Sequence, residues 1–304
     1  MKQATDISSR AWAEMLLLGL IWGGSFLTTA VALREVSVLS VVCHRVGWAA
    51  VALWLVVWLR GEAIPRGWGL WATLAIMGLL NNVLPFTLLA WGQLSIESGL
   101  ASILNAFTAV AGVIVAALVF ADERLSTRRL AGVLLGFAGV AVTVGPAVLQ
   151  GLSLRSLAQI AVIGATLSYA FAGAWARARL KGLSPLAASA GMVSCAAAML
   201  IPLTLALEGN IDLPATPEGT VALAYIALIA TAGAYMLYYR VLAMAGSGNL
   251  MLVTLLVAPV AILLGALLLN ETLAPRAYAG FALLAAGLIV LDGRLLRRIT
   301  RATA

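Results

Sequence analysis

The chain has 304 residues, of which 63% are hydrophobic and 10% charged, and its mean hydropathy is +1.05. Soluble domains are typically about 45–50% apolar and about 25% charged, and one soluble core could not bury this much apolar surface, so the composition excludes an ordinary soluble fold. The net charge of +7 does not indicate a nucleic-acid partner, because the basic residues are scattered between apolar runs and do not gather on one polar face.

Ten apolar runs divide the chain from end to end. A transmembrane helix needs about 20 mostly apolar residues. On this basis the sequence predicts membrane-spanning helices at 11–33, 37–59, 68–90, 98–120, 129–147, 156–177, 185–207, 219–239, 248–269 and 277–292. The connections between them are short and leave no room for a soluble domain. The expected fold is therefore an all-α membrane protein with the lipid bilayer as its partner.

The basic residues predict how the helices are oriented. Lys and Arg concentrate in short cytoplasmic loops of membrane proteins. With the N-terminus in the cytoplasm, 15 of the 19 basic residues fall in predicted cytoplasmic segments, three fall in external loops, and Arg45 falls within a span. We therefore expect a multi-pass protein of the bacterial inner membrane with both termini cytoplasmic, and a basic cytoplasmic tail at 293–304.

The two halves of the chain repeat each other. A shift of 148 positions places Glu123 over Glu271 and Gly132 over Gly280. Each half contains five spans, an odd number, so the second half must enter the bilayer from the opposite side. Inverted repeats of this kind recur in secondary transporters, which bind their solute near the midplane between the repeats. The predicted domains are two five-helix repeats at 1–147 and 156–292.

Short motifs accompany the repeat. They are "LIWGGSF" in the first span, a lone Arg45 near the start of the second, "ADERL" and "LNETL" after the fourth and ninth spans, and Pro259 in the ninth. Over essentially its whole length the chain resembles the EamA-type branch of the drug/metabolite transporter superfamily, and within it the YddG-type bacterial exporters of aromatic amino acids. The resemblance implies that spans one to four and six to nine surround a central cavity, while the fifth and tenth brace the outside.

Placing a polar side chain inside the membrane costs free energy, so such residues are the first candidates for a functional role. At 1.5 Å per helical residue, His44 and Arg45 lie roughly 10–12 Å below the outer boundary, and Asn105 lies at a similar depth. Asn82 lies in the outer half of the third span, close to Pro85, which removes a backbone donor. We predict His44, Asn82 and Asn105 as substrate-binding residues, with hydrogen bonding between helices as the alternative. Arg45, Pro85 and Pro259 are predicted to serve gating or structure.

Aromatic residues supply the remaining candidates. Trp22 and Tyr169 fall near mid-depth, and Trp175 and Tyr235 fall further toward the cytoplasm. Trp22 is the best candidate, because its neighbours up to Ser25 are small and leave its ring room. An apolar pocket with aromatic walls and few hydrogen-bonding groups suits a flat or amphipathic organic solute. We therefore add these four aromatic residues and Ser25 to the predicted substrate-binding set, although each aromatic could instead serve packing.

The acidic residues restrict the mechanism. All 12 lie in tails, loops or span ends, and Glu14, at the cytoplasmic end of the first span, comes nearest to an exception. The absence of a carboxylate from the midplane argues against a carboxylate-driven multidrug antiporter and against a selective cation channel. We therefore expect a neutral or zwitterionic substrate.

Three classes of function remain to be compared. The first is a secondary transporter that exports small metabolites by alternating access, with amino acids as the expected substrates; the alternative is a proton-coupled exporter of lipophilic cations, purines or other metabolites. The second is a membrane enzyme, which is disfavoured because the chain has one histidine and lacks HExxH and GxSxG motifs. The third is a scaffold that transports nothing. We expect no catalytic residues, cofactor or metal, a small-molecule substrate, and a monomer.

Overall fold

The computed structural model describes residues 7–96, 98–121, 126–144, 156–180, 182–250, 252–268 and 275–292. Within these ranges the chain forms ten helices and no strand, which confirms the predicted all-α class. The helices are α1 (Ser9–Ala32), α2 (Val38–Leu59), α3 (Trp68–Gly92), α4 (Ser98–Val119), α5 (Thr127–Val144), α6 (Leu157–Arg179), α7 (Pro185–Glu208), α8 (Pro217–Gly246), α9 (Val253–Leu268) and α10 (Pro275–Asp292). Seven of them, α1 to α4 and α6 to α8, are long and apolar enough by themselves to cross a membrane.

The eighth helix differs most from its predicted range of 219–239. It continues past Arg240 as far as Gly246, whose φ of +80° ends the regular helix. Arg240 can remain helical because it pairs with Glu14 of α1, and a charge with a partner need not lie in a loop. The predicted loop glutamates Glu123 and Glu271 and the basic tail at 293–304 lie outside the described residues.

Hydroxyl side chains fix where several helices begin. Ser8, Ser37, Ser184 and Thr216 precede α1, α2, α7 and α8, and each accepts a hydrogen bond at 3.0–3.1 Å from the backbone N–H three residues later. Such a bond satisfies one of the backbone donors that a helix leaves unpaired in its first turn.

Several helix contacts recur when the two halves are exchanged. Helix α1 packs against α9 and α8, and correspondingly α6 packs against α4 and α3. Helix α2 packs against α8, and α7 packs against α3. Two further pairs, α2 with α7 and α5 with α10, join equivalent helices of the two halves. Both halves therefore contribute to one bundle.

Helices α2 and α7 run antiparallel and are tied at both ends by the same kind of bond. The Ser37 hydroxyl at the start of α2 donates to the Glu208 carboxylate at the end of α7 at 2.6 Å. At the other end, the Ser184 hydroxyl before α7 donates to the Glu62 carboxylate just after α2. The start of each helix therefore lies beside the end of the other.

Glycines bring α5 and α10 into close contact, also antiparallel. A Cβ atom added to Gly139 would lie 2.5 Å from the backbone nitrogen of Leu284, and one added to Gly280 would lie 2.1 Å from the Thr143 hydroxyl. Gly132 at the start of α5 faces the region of Leu291 at the end of α10. Small residues that let two backbones approach are typical of helix packing in membranes.

Candidate substrate cavity

A cavity of about 860 Å³, including its opening, lies among helices of both halves. Its walls combine aromatic rings, aliphatic side chains and a few polar groups. The lining residues are Trp22, Ser25, Phe26, Thr29, Val41, Val42, Arg45, Asn81, Phe86, Leu89, Ala90, Gln93, Asn105, Thr108, Tyr169, Tyr235, Tyr238, Leu250, Thr254 and Val257.

Two π-helical segments shape the helices beside the cavity. One spans Leu79–Val83 in α3 and the other spans Tyr225–Gly233 in α8, at equivalent positions in the two halves. A π segment changes the helical hydrogen-bonding pattern and turns backbone groups toward other partners. The Leu80 carbonyl accepts a hydrogen bond from the Ser168 hydroxyl of α6 at 2.7 Å. The Ala230 carbonyl accepts one from the Trp22 indole of α1 at 3.0 Å. Each π segment thus binds a helix of the other half.

The aromatic wall is held in place by these bonds. Because its indole N–H is bound to α8, Trp22 keeps a fixed orientation, with its ring centroid 6.2 Å from that of Tyr238. Tyr238 in turn packs edge-on against Tyr235 and Tyr239, with centroid distances of 6.0 and 5.2 Å. Tilted and edge-to-face arrangements at such distances are favourable for aromatic pairs. The cavity therefore presents a rigid aromatic surface.

Arg45 of α2 projects into this cavity. Its guanidinium carbon lies 3.5 Å above the centroid of the Phe86 ring, and its Nε donates to the Thr231 hydroxyl at 2.9 Å. The Thr231 hydroxyl donates to the Ile226 carbonyl at 2.6 Å within the π segment of α8. The side chain is therefore fixed on one face and at one nitrogen.

A buried amide pair supports Tyr235. The Asn82 Nδ2 donates to the Tyr235 hydroxyl at 2.6 Å, and the Asn81 Nδ2 donates to the same oxygen at 3.2 Å. All three side chains are almost fully buried. The neighbouring amides of α3 therefore determine where this tyrosine of α8 lies.

Several buried polar atoms have no hydrogen-bond partner among the described residues. Three of them belong to residues that line the cavity: the Asn105 Oδ1, the Thr108 Oγ1 and the Tyr238 hydroxyl. Buried polar groups in proteins are almost always paired, so these atoms are candidates for contact with a solute.

The structure brings six of the predicted site residues together around the cavity. They are Trp22, Ser25, Arg45, Asn105, Tyr169 and Tyr235. Ser25 contacts the cavity although its hydroxyl donates to the Trp22 carbonyl at 2.7 Å.

The other predicted residues do not line the cavity. The His44 Nε2 bonds to the Asp212 backbone carbonyl at 2.8 Å, in the connection before α8. The Trp175 indole donates to the Thr73 carbonyl at 3.1 Å, and Asn82 reaches the cavity only through Tyr235. Pro85 follows the π segment of α3, and Pro259 lies within α9; neither contacts the cavity.

Sequence reasoning missed about half of the polar wall. Asn81, Thr108, Gln93 and Thr29 line the cavity but were not among the predicted residues. For Thr108 a signal was available, because it follows Asn105 by three residues and so lies on the same face of α4.

Glu14 forms a separate polar site at the predicted cytoplasmic end of α1. Its carboxylate accepts from the Arg10 Nε at 3.3 Å and from the Arg240 guanidinium. The Glu14 side chain is 10% exposed, and its second oxygen has no partner within the described ranges of the chain. Glu14 is not part of the cavity wall.

Comparison with known proteins agrees with this architecture. A model of the EamA-like transporter family matches the chain twice, over residues 11–145 and 156–291. A probable terminal-alkyne amino-acid exporter from Streptantibioticus cattleyicolor is 29% identical over 297 residues, which cover 96% of each chain. An uncharacterized transporter from Archaeoglobus fulgidus is 28% identical over 251 residues, which cover 79% of this chain and 83% of that relative.

One solved crystal structure is similar with a TM-score of 0.77 over 96% of this chain and 99% of its own. At 17% identity this similarity concerns the fold alone. The two family matches together cover nearly the whole chain and confirm the resemblance seen in the sequence motifs. The chain therefore belongs to the EamA-like transporter family and is a multi-pass protein of the bacterial inner membrane.

Proposed function

We propose that this transporter exports small neutral or zwitterionic metabolites, above all amino acids with aromatic or hydrophobic side chains, by alternating access. The observation that carries the proposal is the cavity itself. It is walled by Trp22, Tyr169 and Tyr238, and no acidic side chain is found among the described residues that line it. Aromatic walls suit a flat or apolar side chain, and the few polar groups suit the charged end of an amino acid.

The two halves are proposed to be repeats of inverted topology, with both termini in the cytoplasm. The antiparallel packing of α2 on α7 and of α5 on α10 supports this, because these pairs join equivalent helices of the two halves. Two parallel repeats would place equivalent helices in the same direction. The excess of basic residues in the predicted cytoplasmic segments supports the placement of the termini.

Alternating access then has a structural basis in the two groups of helices beside the cavity. One group contains α1, α8 and α9, and the other contains α3, α4 and α6. The bonds between α2 and α7 at Ser37 and Ser184 hold that pair together, so we propose that the two groups rock about it. The solute would face each side of the membrane in turn.

The substrate class has two independent supports. The first is the cavity wall described above. The second is the similarity to the Streptantibioticus relative, a probable terminal-alkyne amino-acid exporter. Phenylalanine combines an aromatic side chain with the amino-acid group, so it is the first solute to be tested.

The test is a flux measurement in proteoliposomes, made with and without a pH gradient. The fluxes of labelled phenylalanine, adenine and a lipophilic cation in proteoliposomes are compared with their fluxes in protein-free liposomes. The proposal predicts saturable phenylalanine flux that needs no pH gradient and no flux of the cation. Cation flux that depends on the pH gradient would instead favour the proton-coupled alternative, and no flux of any solute would contradict a transport function for these compounds.

A further inference from the structure

Arg45 differs from every other described residue that lines the cavity because it alone is ionised. Its position on α2 is fixed from two directions, by the Phe86 ring beneath its face and by the Thr231 hydroxyl at its Nε. A guanidinium is planar, and its five N–H groups point outward within that plane. Stacking therefore occupies its face, while its edge remains able to donate.

The two terminal nitrogens of Arg45 make no hydrogen bond to any residue in the described part of the chain. No acidic side chain in that part forms an ion pair with it. A charge within the membrane that lacks a counter-charge is costly, and such residues commonly bind a solute or an ion. The parallel N–H groups at the guanidinium edge match the geometry of a carboxylate, which they can bind through two hydrogen bonds.

We propose that Arg45 binds the carboxylate of the transported solute and thereby selects amino acids and other carboxylates over amines. This inference rests on the proposed transport function and adds the chemical group that the site recognises. The sequence motifs predict a gating or structural role for Arg45, and its contacts with Phe86 and Thr231 hold the guanidinium edge toward the cavity.

The opposite end of an amino acid also finds suitable groups. Asn105 and Thr108 lie on one face of α4 and line the cavity, and the Asn105 Oδ1 and the Thr108 Oγ1 have no partner in the part of the chain that the structure describes. Both oxygens can accept hydrogen bonds from an ammonium group. They carry no charge, so they cannot by themselves favour a cation against the positive field of Arg45. The carboxylate is therefore the group on which recognition depends.

The first test uses the unaltered protein and compares competitors of labelled phenylalanine flux in proteoliposomes. We expect 3-phenylpropanoate, which keeps the carboxylate and lacks the ammonium group, to compete, and phenethylamine, which keeps the ammonium group and lacks the carboxylate, to compete at least about 10-fold less well. Equal competition by the two compounds, or stronger competition by the amine, would overturn the inference while phenylalanine flux still supported the proposed function. A wild-type protein without phenylalanine flux would instead count against the proposed function.

The second test replaces the charge. Arg45→Gln should raise the concentration for half-maximal phenylalanine flux by about 10- to 100-fold and abolish the preference for 3-phenylpropanoate over phenethylamine, because charge-assisted hydrogen bonds are lost. Arg34→Gln is the matched control, since Arg34 is exposed beyond the end of α1 and should leave both quantities unchanged. An Arg45→Gln protein that elutes as a folded species and keeps the wild-type concentration dependence would overturn the inference. If that variant does not fold, the wild-type competition decides.

Discussion

The hydrogen bonds at Tyr235 predict that two substitutions, Tyr235→Phe and Asn82→Leu, destabilise the protein by different amounts. Tyr235→Phe removes one oxygen atom, which leaves the buried Asn82 amide without its acceptor and the buried Asn81 amide with only the Met192 sulfur at 3.8 Å. A buried donor without a partner costs about 1–3 kcal/mol in soluble proteins, and polar contacts between membrane helices average about 0.6 kcal/mol. We therefore expect Tyr235→Phe to destabilise the protein by about 1–2 kcal/mol, taking the range between these values for two donors.

Asn82→Leu should destabilise the protein less than Tyr235→Phe, although it changes more atoms. It removes one donor to Tyr235, but it also removes the buried Asn82 Oδ1, for which no described residue provides a partner. Asn81 still donates to the tyrosine oxygen at 3.2 Å. The loss and the gain are of similar size, so we expect a net change within about 0.5 kcal/mol.

Thermal unfolding of the purified protein in detergent measures both variants. One kcal/mol corresponds to about 2–4 °C for chains approaching this length, so Tyr235→Phe should lower the unfolding midpoint by about 2–8 °C and Asn82→Leu by less than about 2 °C. Combining the two substitutions should cost no more than Tyr235→Phe alone. A larger loss for Asn82→Leu than for Tyr235→Phe would refute the network as described.

Three further predictions concern regions outside the cavity. Gly280→Leu should separate α5 from α10 and lower the unfolding midpoint sharply, because even a Cβ would lie 2.1 Å from the Thr143 hydroxyl. Glu14→Gln should weaken the ion pair between α1 and α8 by about 1 kcal/mol, since its arginine partners are substantially exposed, but should change neither phenylalanine flux nor its pH dependence. Hydrogen bonds from Thr216 and its neighbours hold the pKa of Glu35 below its ordinary value of 4.5. The stability advantage of the wild type over Glu35→Gln should therefore be present above that pH and disappear as the pH falls through the lowered pKa.

Each of these predictions has a control or a contrary outcome. Gly69→Leu matches Gly280→Leu, because a Cβ at Gly69 meets nothing within 4 Å, and similar losses for both would contradict the packing argument. Loss of flux, or of its pH dependence, in Glu14→Gln would favour proton-coupled transport through Glu14. For Glu35, thermal unfolding of the wild type and of Glu35→Gln is recorded from neutral to acidic pH. A stability advantage of the wild type that grows as the pH falls would contradict the prediction.

The sequence predicted the ten helices of the described residues because the bilayer imposes a length on each apolar run. The helix boundaries were harder to predict, because the apolar runs do not show where a helix continues beyond the membrane core. Helix α8 shows this, because the pairing of Arg240 with Glu14 cannot be read from residues 226 positions apart. The repeat could be recognised from spacing alone, because equivalent glycines recur at a fixed shift.

The direction in which an individual side chain points was harder to predict than the positions of the helices. In helices that are apolar all round, periodicity does not distinguish a cavity face from a lipid face or a packed face. His44 and Arg45 are neighbours in sequence, yet Arg45 reaches the cavity while His44 bonds to the carbonyl of Asp212 in a distant connection. The two π segments, which turn carbonyls toward α1 and α6, also follow from tertiary packing and have no simple sequence signal.

Equilibrium binding of labelled phenylalanine to three purified proteins tests most directly whether this cavity is the substrate site. Ala90 lines the cavity and is 2% exposed, so Ala90→Trp should fill the site, whereas Val51 is 60% exposed on the outer face of α2 and Val51→Trp adds the same ring outside it. We predict saturable binding to the wild type and to Val51→Trp, and none to Ala90→Trp. Wild-type binding by a folded Ala90→Trp protein would contradict the account, because the substrate would then lie elsewhere.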